Sequence, residues 1–376
     1  DFLKGAKKEG VDVKAAEKVF DQIEHFGGYG FNKSHATCYA LLAYQTAFLK
    51  ANFPPEYMCS LISSAIGMSS LNREQGSKVV DYIDETKKMG IEVMPPDLLR
   101  SDMQFTLTNE GKESKVRFGL LAIKNVGEGA VSEILRAREA GPFLSLSDFC
   151  TRVDTRTVNR KSLESLIKAG AFDFCGGPPR SIRARVISSL ESVLERTAKL
   201  RQDRSMGQTS FFDSESAFPS APSSPDSDLA SAEDWTEHEM LFNEKEVIGF
   251  YISGHPLSKY KEELKYYSTH PLSQLPPNSN SRVRVTGVIA SVKRLTTKQS
   301  KSPYARFKLE DMDAELECVV FPKSYASGIS QLLVPNETVV VSGRLNHNQM
   351  GRESGDELIV DELLPLELAR ESLVKR

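Results

Sequence analysis

The sequence predicts a multidomain chain, mainly α-helical in its long N-terminal part and an all-β barrel near its C-terminal end. Three observations carry that reading. The chain has 376 residues, enough for two to four domains with real cores. Apolar residues recur at helical spacing in run after run before residue 266. Beyond Arg282 the period changes to two, in five short runs separated by turn residues.

Charged residues make up 26% and the apolar set 40%, with a formal charge of -3, so composition describes a globular protein without a global electrostatic instruction. The distribution says more. Residues 115 to 170 hold ten Lys/Arg against six Asp/Glu, whereas 213 to 246 hold ten acidic residues against Lys245 alone. That order fits a polyanion partner for the first stretch and solvation for the second. Five cysteines with no CxxC pair argue against a disulfide or metal framework and for small core hydrophobes in a reducing compartment. No apolar run reaches membrane-spanning length, and the N-terminus lacks a signal-peptide pattern. The chain begins at Asp1 without methionine and already inside a helical pattern, which reads as a fragment.

Residues 1 to 25 predict two short amphipathic helices carrying Ala6, Val11, Val13, Ala16, Val19, Phe20 and Ile23. They lead into FGGYGFNKSHATCYALLAYQTAFLKANF, residues 26 to 53, the most distinctive stretch of the sequence. Gly27, Gly28 and Gly30 allow positive φ, and Asn32, Lys33, Ser34 and His35 project before a helix expected from about Ala36 to Ala51. A helix N-terminus with an ammonium and an imidazole suits a polyphosphate. The competing reading is a tight turn with Ser34 as N-cap. The spacing matches neither G-x-G-x-x-G nor G-x-x-x-x-G-K-[ST]. The helix itself is apolar on nearly every side and is expected to be buried.

Pro54 and Pro55 end that helix and open the next, and Gln75 to Met89 predicts a further one closed by Gly90. QFTLTN and KVRFGLLAI then pair as a hairpin. Ile123 to Gly129 fits a helix-hairpin-helix pattern. Gly127 and Gly129 leave backbone amides open to a phosphate beside Lys124 and Asn125, ahead of a helix N-terminus. Thr157 to Phe172 reads as a degenerate second unit with Arg156, Arg160 and Lys161 at its start. Residues 180 to 205 predict an amphipathic helix with a solvated basic face, and Phe218 to Asp234 a Ser, Pro and Asp-rich disordered linker. Residues 236 to 266 return to order, with EHEMLFNEKEVIGFYISGHPLSKY read as a helix followed by an extended segment with a Gly-His-Pro turn. His255, without an acid or nucleophile near it in sequence, is given no role.

The last module, about 282 to 364, shows strand patterns at RVRVTGVIASV, ARFKLED, AELECVVF, ETVVVSGRL and DELIVDELL, with a helical stretch between the third and fourth. Five strands with a helix in that place predict an OB-fold. Lys293, Arg294, Lys298, Lys301, Arg306 and Lys308, interleaved with Tyr304 and Phe307, suit single-stranded nucleic acid, with at least one ring facing inward.

The stretch GYGFNKSHA…YALLAYQTAFLKA closely resembles the finger region of bacterial DNA polymerase III alpha subunits, the C-family replicative polymerases. The resemblance runs on through ANFPPEYM, KKMGIEVMPPDLLRSDMQF, FGLLAIKNVGEG, VNRKSLESLIKAGAFD, IGFYISGHPL and VVVSGR, and so spans nearly the whole chain. It implies the later part of the polymerase fingers over 1–100, a tandem helix-hairpin-helix DNA-binding domain over 101–178, and a helix with a clamp-binding peptide over 179–212. A linker over 213–234, a connector over 235–280, the OB-fold over 281–366 and a tail over 367–376 complete the division. Gln208, Ser210, Phe211 and Phe212 resemble the clamp-binding pentapeptide of bacterial replication proteins, with Phe211 where Leu or Met is more usual.

The resemblance further implies incoming dNTP at Asn32, Lys33, Ser34 and His35, double-stranded and single-stranded DNA, the beta sliding clamp and the other polymerase III holoenzyme subunits as partners, and a bacterial cytoplasmic, nucleoid-associated setting. The parent would use Mg2+. The Asp-rich PDxDxD palm motif that would hold it is not found in this chain, so no catalytic residue and no metal ligand is assigned. The palm and the phosphoesterase-like domain are expected before Asp1, and the clamp-loader-binding domain after Arg376. The competing readings are an error-prone paralogue of the same family and a stand-alone nucleic-acid-binding adaptor.

Overall fold

The computed structural model describes the chain except residues 29–32, 67–74, 111–112, 206–228, 278–279, 298–299, 313, 349–354 and 374–376. The N-terminal helices are α1 (Phe2–Lys8), α2 (Val13–Gly28), α3 (Lys33–Asn52), α4 (Pro54–Ala65) and α5 (Gln75–Lys88). Pro54 and Pro55 occupy the first turn of α4, where a missing amide costs nothing. Two expectations are corrected here. Helix α3 begins at Lys33, so Ser34 lies inside its first turn and is not the N-cap, while Gly27 and Gly28 continue α2. Helix α3 is also not buried: Tyr39, Leu41, Leu42, Tyr44, Phe48 and Leu49 are all exposed, Tyr44 to 67%. A helix apolar all round needs cover on several sides, and α4 with a Lys50–Glu85 ion pair supplies one.

The first core starts at α4 with Met58 and Ile62 and takes Ile83 from α5. Strands β1 (Val93–Met94), β2 (Thr106–Glu110) and β3 (Glu113–Arg117) form a small sheet ordered β1-β3-β2. The β2–β3 hairpin is the expected one, and β1 adds a parallel pairing of two residues that no period could reveal. Helices α6 (Glu128–Arg138), α7 (Leu146–Arg152), α8 (Arg160–Lys168), α9 (Pro179–Ser205) and α10 (Glu237–Ile248) close around this sheet. Each of α7, α8 and α10 starts on a side-chain cap: Ser145, Asn159 and Thr236, the last in a capping box with Glu239. Phe143, Phe149 and Phe172 stack edge to face in the middle.

Helix α9 buries Ile182, Val186, Leu190 and Val193 as expected, but its basic face is not simply solvated. Arg201 donates to the carbonyls of Cys150, Thr151 and Val153 at the end of α7. Arg183, 2% exposed, donates to Asp173 at 2.7 Å and to the buried Glu244 of α10 at 3.2 Å. Glu244 in turn accepts from the amides of Ile252 and Ser253 and from the Ser253 hydroxyl. The linker expected to reach Asp234 is shorter: Leu229 belongs to the core, and the Ala230 amide donates to Ser189 Oγ at 2.7 Å.

Helix α11 (Lys261–Tyr267) leads to a five-stranded closed barrel of β4 (Arg282–Thr296), β5 (Pro303–Glu310), β6 (Glu315–Val320), β7 (Thr338–Asn348) and β8 (Gly355–Pro365), ordered β4-β5-β6-β8-β7. The helical stretch 322–332 lies between β6 and β7, as the OB-fold requires. A bulge between Ile289 and Ser291 bends β4 from one neighbour to the next, and Gly287 sits where a Cβ would strike Leu309 and the Glu310 carbonyl. The barrel has its own core, with Val285, Phe307, Cys318, Val341 and Leu358 fully or nearly fully buried. Helix α12 (Leu366–Leu373) packs on its outside through Leu366 and Ala369.

Gly170 has φ +86°, and a Cβ there would collide with the Arg183 guanidinium. Gly170→Ala is therefore expected to cost about 2–4 kcal/mol, from left-handed strain plus displacement of a buried charge. Arg183→Met, which strands Glu244 in the core, is expected to cost roughly 3–5 kcal/mol. Urea denaturation of both variants checks these values, with Lys199→Met, exposed on the same helix, as the control.

Candidate nucleic-acid interface

The first hairpin runs from a 3-10 turn at Leu120–Ala122 to the N-terminus of α6, which Gly127 precedes in extended conformation at φ -89°. The left-handed residue of the turn is Asn125, φ 65°, not a glycine. What Gly127 and Gly129 contribute is open space. A Cβ at Gly127 would meet nothing within 4 Å, and at Gly129 only the Thr157 methyl at 3.9 Å. Among the described residues no group accepts from the amides of Gly127, Glu128 and Gly129. Free amides at a helix N-terminus are, in general, groups that phosphate oxygens bind.

Thr157 belongs to the second hairpin, and Asn125 locks the two together. Its carbonyl accepts from Ser162 Oγ at 2.7 Å, and its side-chain amide donates to Ser165 Oγ at 3.0 Å, both on α8. The N-termini of α6 and α8 are thereby brought side by side. Asn125 thus works inside the protein as well as beside the open face, a role its position in the motif did not reveal. The serines of α8 that hold it, Ser162 and Ser165, were missed for the same reason: a small polar residue on a buried helix face carries no periodic signal.

The predicted cations divide once they are placed. Lys161 is exposed and makes no ion pair among the described residues. Arg156, 93% exposed, reaches back to Asp154 at 3.4 Å, and its amide and guanidinium hold that carboxyl below the usual carboxylate range. Arg160 pairs with Glu164 at 2.9 Å and lies 3.4 Å from Glu191. Lys124 donates to the Glu246 carbonyl at 2.8 Å, and its amide to Val247, so it caps the C-terminus of α10. A phosphate would compete with those carbonyls for its ammonium.

On the barrel, Lys293 faces Arg306 across β4 and β5 on the outer side, with Leu295 opposite Tyr304 one step further along that face. Phe307 points inward and is 1% exposed, which settles which ring serves the core. Arg306 is ion-paired with Glu357, Lys308 with Glu315 at 3.0 Å, and Arg294 donates to the Leu333 carbonyl at 3.1 Å. Lys301 occupies the β4–β5 turn at φ 49°, and Lys298 lies outside the described residues. Of the predicted cations here, Lys293 on β4 and Lys301 in the turn are exposed and make no ion pair among the described residues.

At the glycine elbow, Asn32 lies outside the described residues, Lys33 is the first residue of α3, and Ser34 and His35 are exposed on its first turn with the His35 ring 4.5 Å from Tyr39. Gln208, Ser210, Phe211 and Phe212 also lie outside the described residues. Among the described residues no three His, Cys, Asp or Glu side chains cluster as metal ligands. No described helix is long and apolar enough to cross a membrane.

The helix-hairpin-helix motif family matches residues 90–182, and the family described as an OB-fold nucleic acid binding domain matches residues 283–366. The chain is similar to the DNA polymerase III subunit alpha of Haemophilus influenzae, at 33% identity over 100% of this chain and 31% of that protein. It is 38% identical to the subunit of Thermus aquaticus over 96% of this chain and 27% of that protein. The subunit of Borreliella burgdorferi is 37% identical over 93% and 29%. The chain thus spans under a third of the length of these relatives.

If the paired hairpins grip phosphates, Lys161→Ala is expected to lower the salt slope of duplex binding by about one unit, and Lys124→Ala by much less, because its ammonium is already bonded to a carbonyl. Fluorescence anisotropy over a salt series checks this. Equal slopes for Lys161→Ala and the unchanged chain would remove α8 from the interface.

Proposed function

Along its whole length this chain is homologous to bacterial DNA polymerase III alpha subunits, and on that premise we propose that it is the part of such a subunit that positions DNA and nucleotide for synthesis. The observation that carries the reading is the pairing of two helix N-termini through Asn125, with unpartnered amides among the described residues at the start of α6 and the exposed Lys161 at the start of α8. Contacts of that kind hold the sugar-phosphate backbone without reading bases, which is what a polymerase needs behind its growing end. The barrel adds an outer face with Lys293 and Tyr304 for the single-stranded template.

The start of α3, with Lys33, Ser34 and His35, would meet the triphosphate of the incoming dNTP. The exposed apolar surface of α3 supports a place inside a longer protein, since an adaptor gains nothing from so much uncovered Tyr, Leu and Phe, and the matched stretch is only 31% of the Haemophilus influenzae relative, whose remainder could cover it. Gln208, Phe211 and Phe212 would anchor the peptide in a hydrophobic pocket of the sliding clamp, and other holoenzyme subunits would assemble on the same protein. The setting is the bacterial cytoplasm, at the nucleoid.

A DNA-directed DNA polymerase of this family works with divalent metal, which supplies charge neutralisation at the triphosphate and activation of the primer hydroxyl. The described residues do not fit that metal: Asp311, the carboxylate nearest the family's Asp-rich pattern, accepts from the amides of Leu272 and Ala314 at 2.8 Å and is spent on the turn between β5 and β6. We therefore assign Mg2+ and the chemical step to the remainder of the longer subunit and derive no step from this chain.

Two outcomes follow. The chain mixed with primer-template, Mg2+ and dNTPs is expected to show no primer extension on a sequencing gel; extension would contradict the assignment of chemistry elsewhere. In surface plasmon resonance it is expected to bind purified bacterial sliding clamp, and the variant with Gln208, Phe211 and Phe212 all changed to Ala is expected to lose at least about ten-fold in affinity.

A further inference from the structure

The two cores of this protein are separate, and the joint between them is polar. From Tyr267 onward the connector belongs to the barrel: Arg284 Nε donates to the Tyr267 carbonyl at 2.6 Å, and Leu272 is part of the barrel core. Up to Ile252 the chain packs on the helical body. Between them lies a cleft of about 780 Å³, lined from one side by α5 and the 249–255 turn and from the other by the end of β5 and the loop after it. Interfaces of this kind permit domain motion unless something pins them.

Glu310, the last residue of β5, reaches across. Its two oxygens accept from Lys245 Nζ of α10 at 2.6 and 2.8 Å, with both side chains more than four-fifths buried. The same ammonium lies 4.5 Å from the centre of the Tyr251 ring. His255 completes the socket. Its Nδ1 accepts from the Leu257 amide at 3.2 Å, which puts the proton of the neutral ring on Nε2. That Nε2 is buried, has no hydrogen-bond partner, and stands 3.8 Å from Glu310 Oε1. A carboxylate moved by about 1 Å would bond both groups. Burial alone would raise the Glu310 carboxyl, yet His255 and Lys245 together hold it below the usual range, so it is charged at neutral pH. A second bridge, His238 Nε2 to the Asn336 carbonyl at 3.0 Å, lies on the same helix α10.

We propose that Glu310 is a latch that fixes the barrel on the helical body through Lys245 and His255, and so sets the path from the hairpins to the barrel. The path has meaning for DNA only on the function proposed above. The latch does not depend on it. With the latch closed, duplex on the hairpins and single strand on the barrel are bound at a fixed separation, and a junction containing both gains from one effective concentration. With it open, the barrel swings on the connector between Ser253 and Tyr267 and that gain falls.

The test uses the full chain with Glu310→Gln, Lys245→Met and the double variant, each checked for native far-UV circular dichroism. Small-angle X-ray scattering is expected to show a larger radius of gyration for either single variant and no further growth for the double. Lys245→Met leaves the barrel's own sequence intact and decides the matter if Glu310→Gln unfolds the barrel. Affinity for a primer-template junction should fall about ten-fold in both, with blunt duplex and isolated single strand unaffected. Scattering that superimposes on the unchanged chain overturns the latch, and expansion without loss of junction affinity overturns its role in setting the path. Failure of the unchanged chain to bind any DNA would instead sink the proposed function and leave scattering alone to decide the latch.

Discussion

The buried guanidinium of Arg183 is the constraint on which the helical body depends. It stands on α9, takes Asp173 from the turn after α8, and takes Glu244 from α10, so the second hairpin, the long helix and the helix leading to the barrel share one charge cluster. Removing water from three charges is expensive and is offset only if every lone pair and proton finds a partner. Here Glu244 is completed by Ile252, Ser253 and Arg183, and Gly170 gives the guanidinium the room it needs. The geometry of the second hairpin follows, because Gly170 and Asp173 lie just beyond the end of its helix. So does the start of the 249–255 turn, from which the barrel hangs.

Many basic residues are engaged within the protein before any ligand arrives. Arg183 and Arg201 staple elements together, Lys124 caps α10, and Arg160, Arg306 and Lys308 carry intramolecular carboxylates. A chain with a small negative net charge can still present a phosphate-binding rim if cations such as Lys161 and Lys293 stand clear of acids and helix N-termini lie beside them. Exposed ion pairs such as Arg160 with Glu164 are weak and exchange readily for phosphate.

The order of elements and the barrel were legible in the sequence because both rest on local period. Alternation gave five strands, and glycine and proline marked their ends. The helix-hairpin-helix turn was legible because Ile123, Val126 and the two glycines have fixed spacing. What could not be read was whatever depends on residues far apart in the chain. Leu229 enters the core next to the Ala230 amide, which donates to Ser189 forty-one residues away in sequence, so the linker was drawn too long. Arg183 looks like any other arginine on a basic helix until Glu244 is beside it. The burial of α3 was overestimated because apolarity states what a surface needs and not what is present to cover it.

The central claim is that the paired N-termini of α6 and α8 grip duplex DNA. The most direct measurement is site-specific photocrosslinking, with a photoreactive side chain placed at Lys161 and, separately, at Glu139 near the far end of α6, in the presence of labelled duplex. Efficient crosslinking from position 161, competed by unlabelled duplex and absent from position 139, is the predicted result. Equal crosslinking from both positions, or none from 161, would contradict the claim.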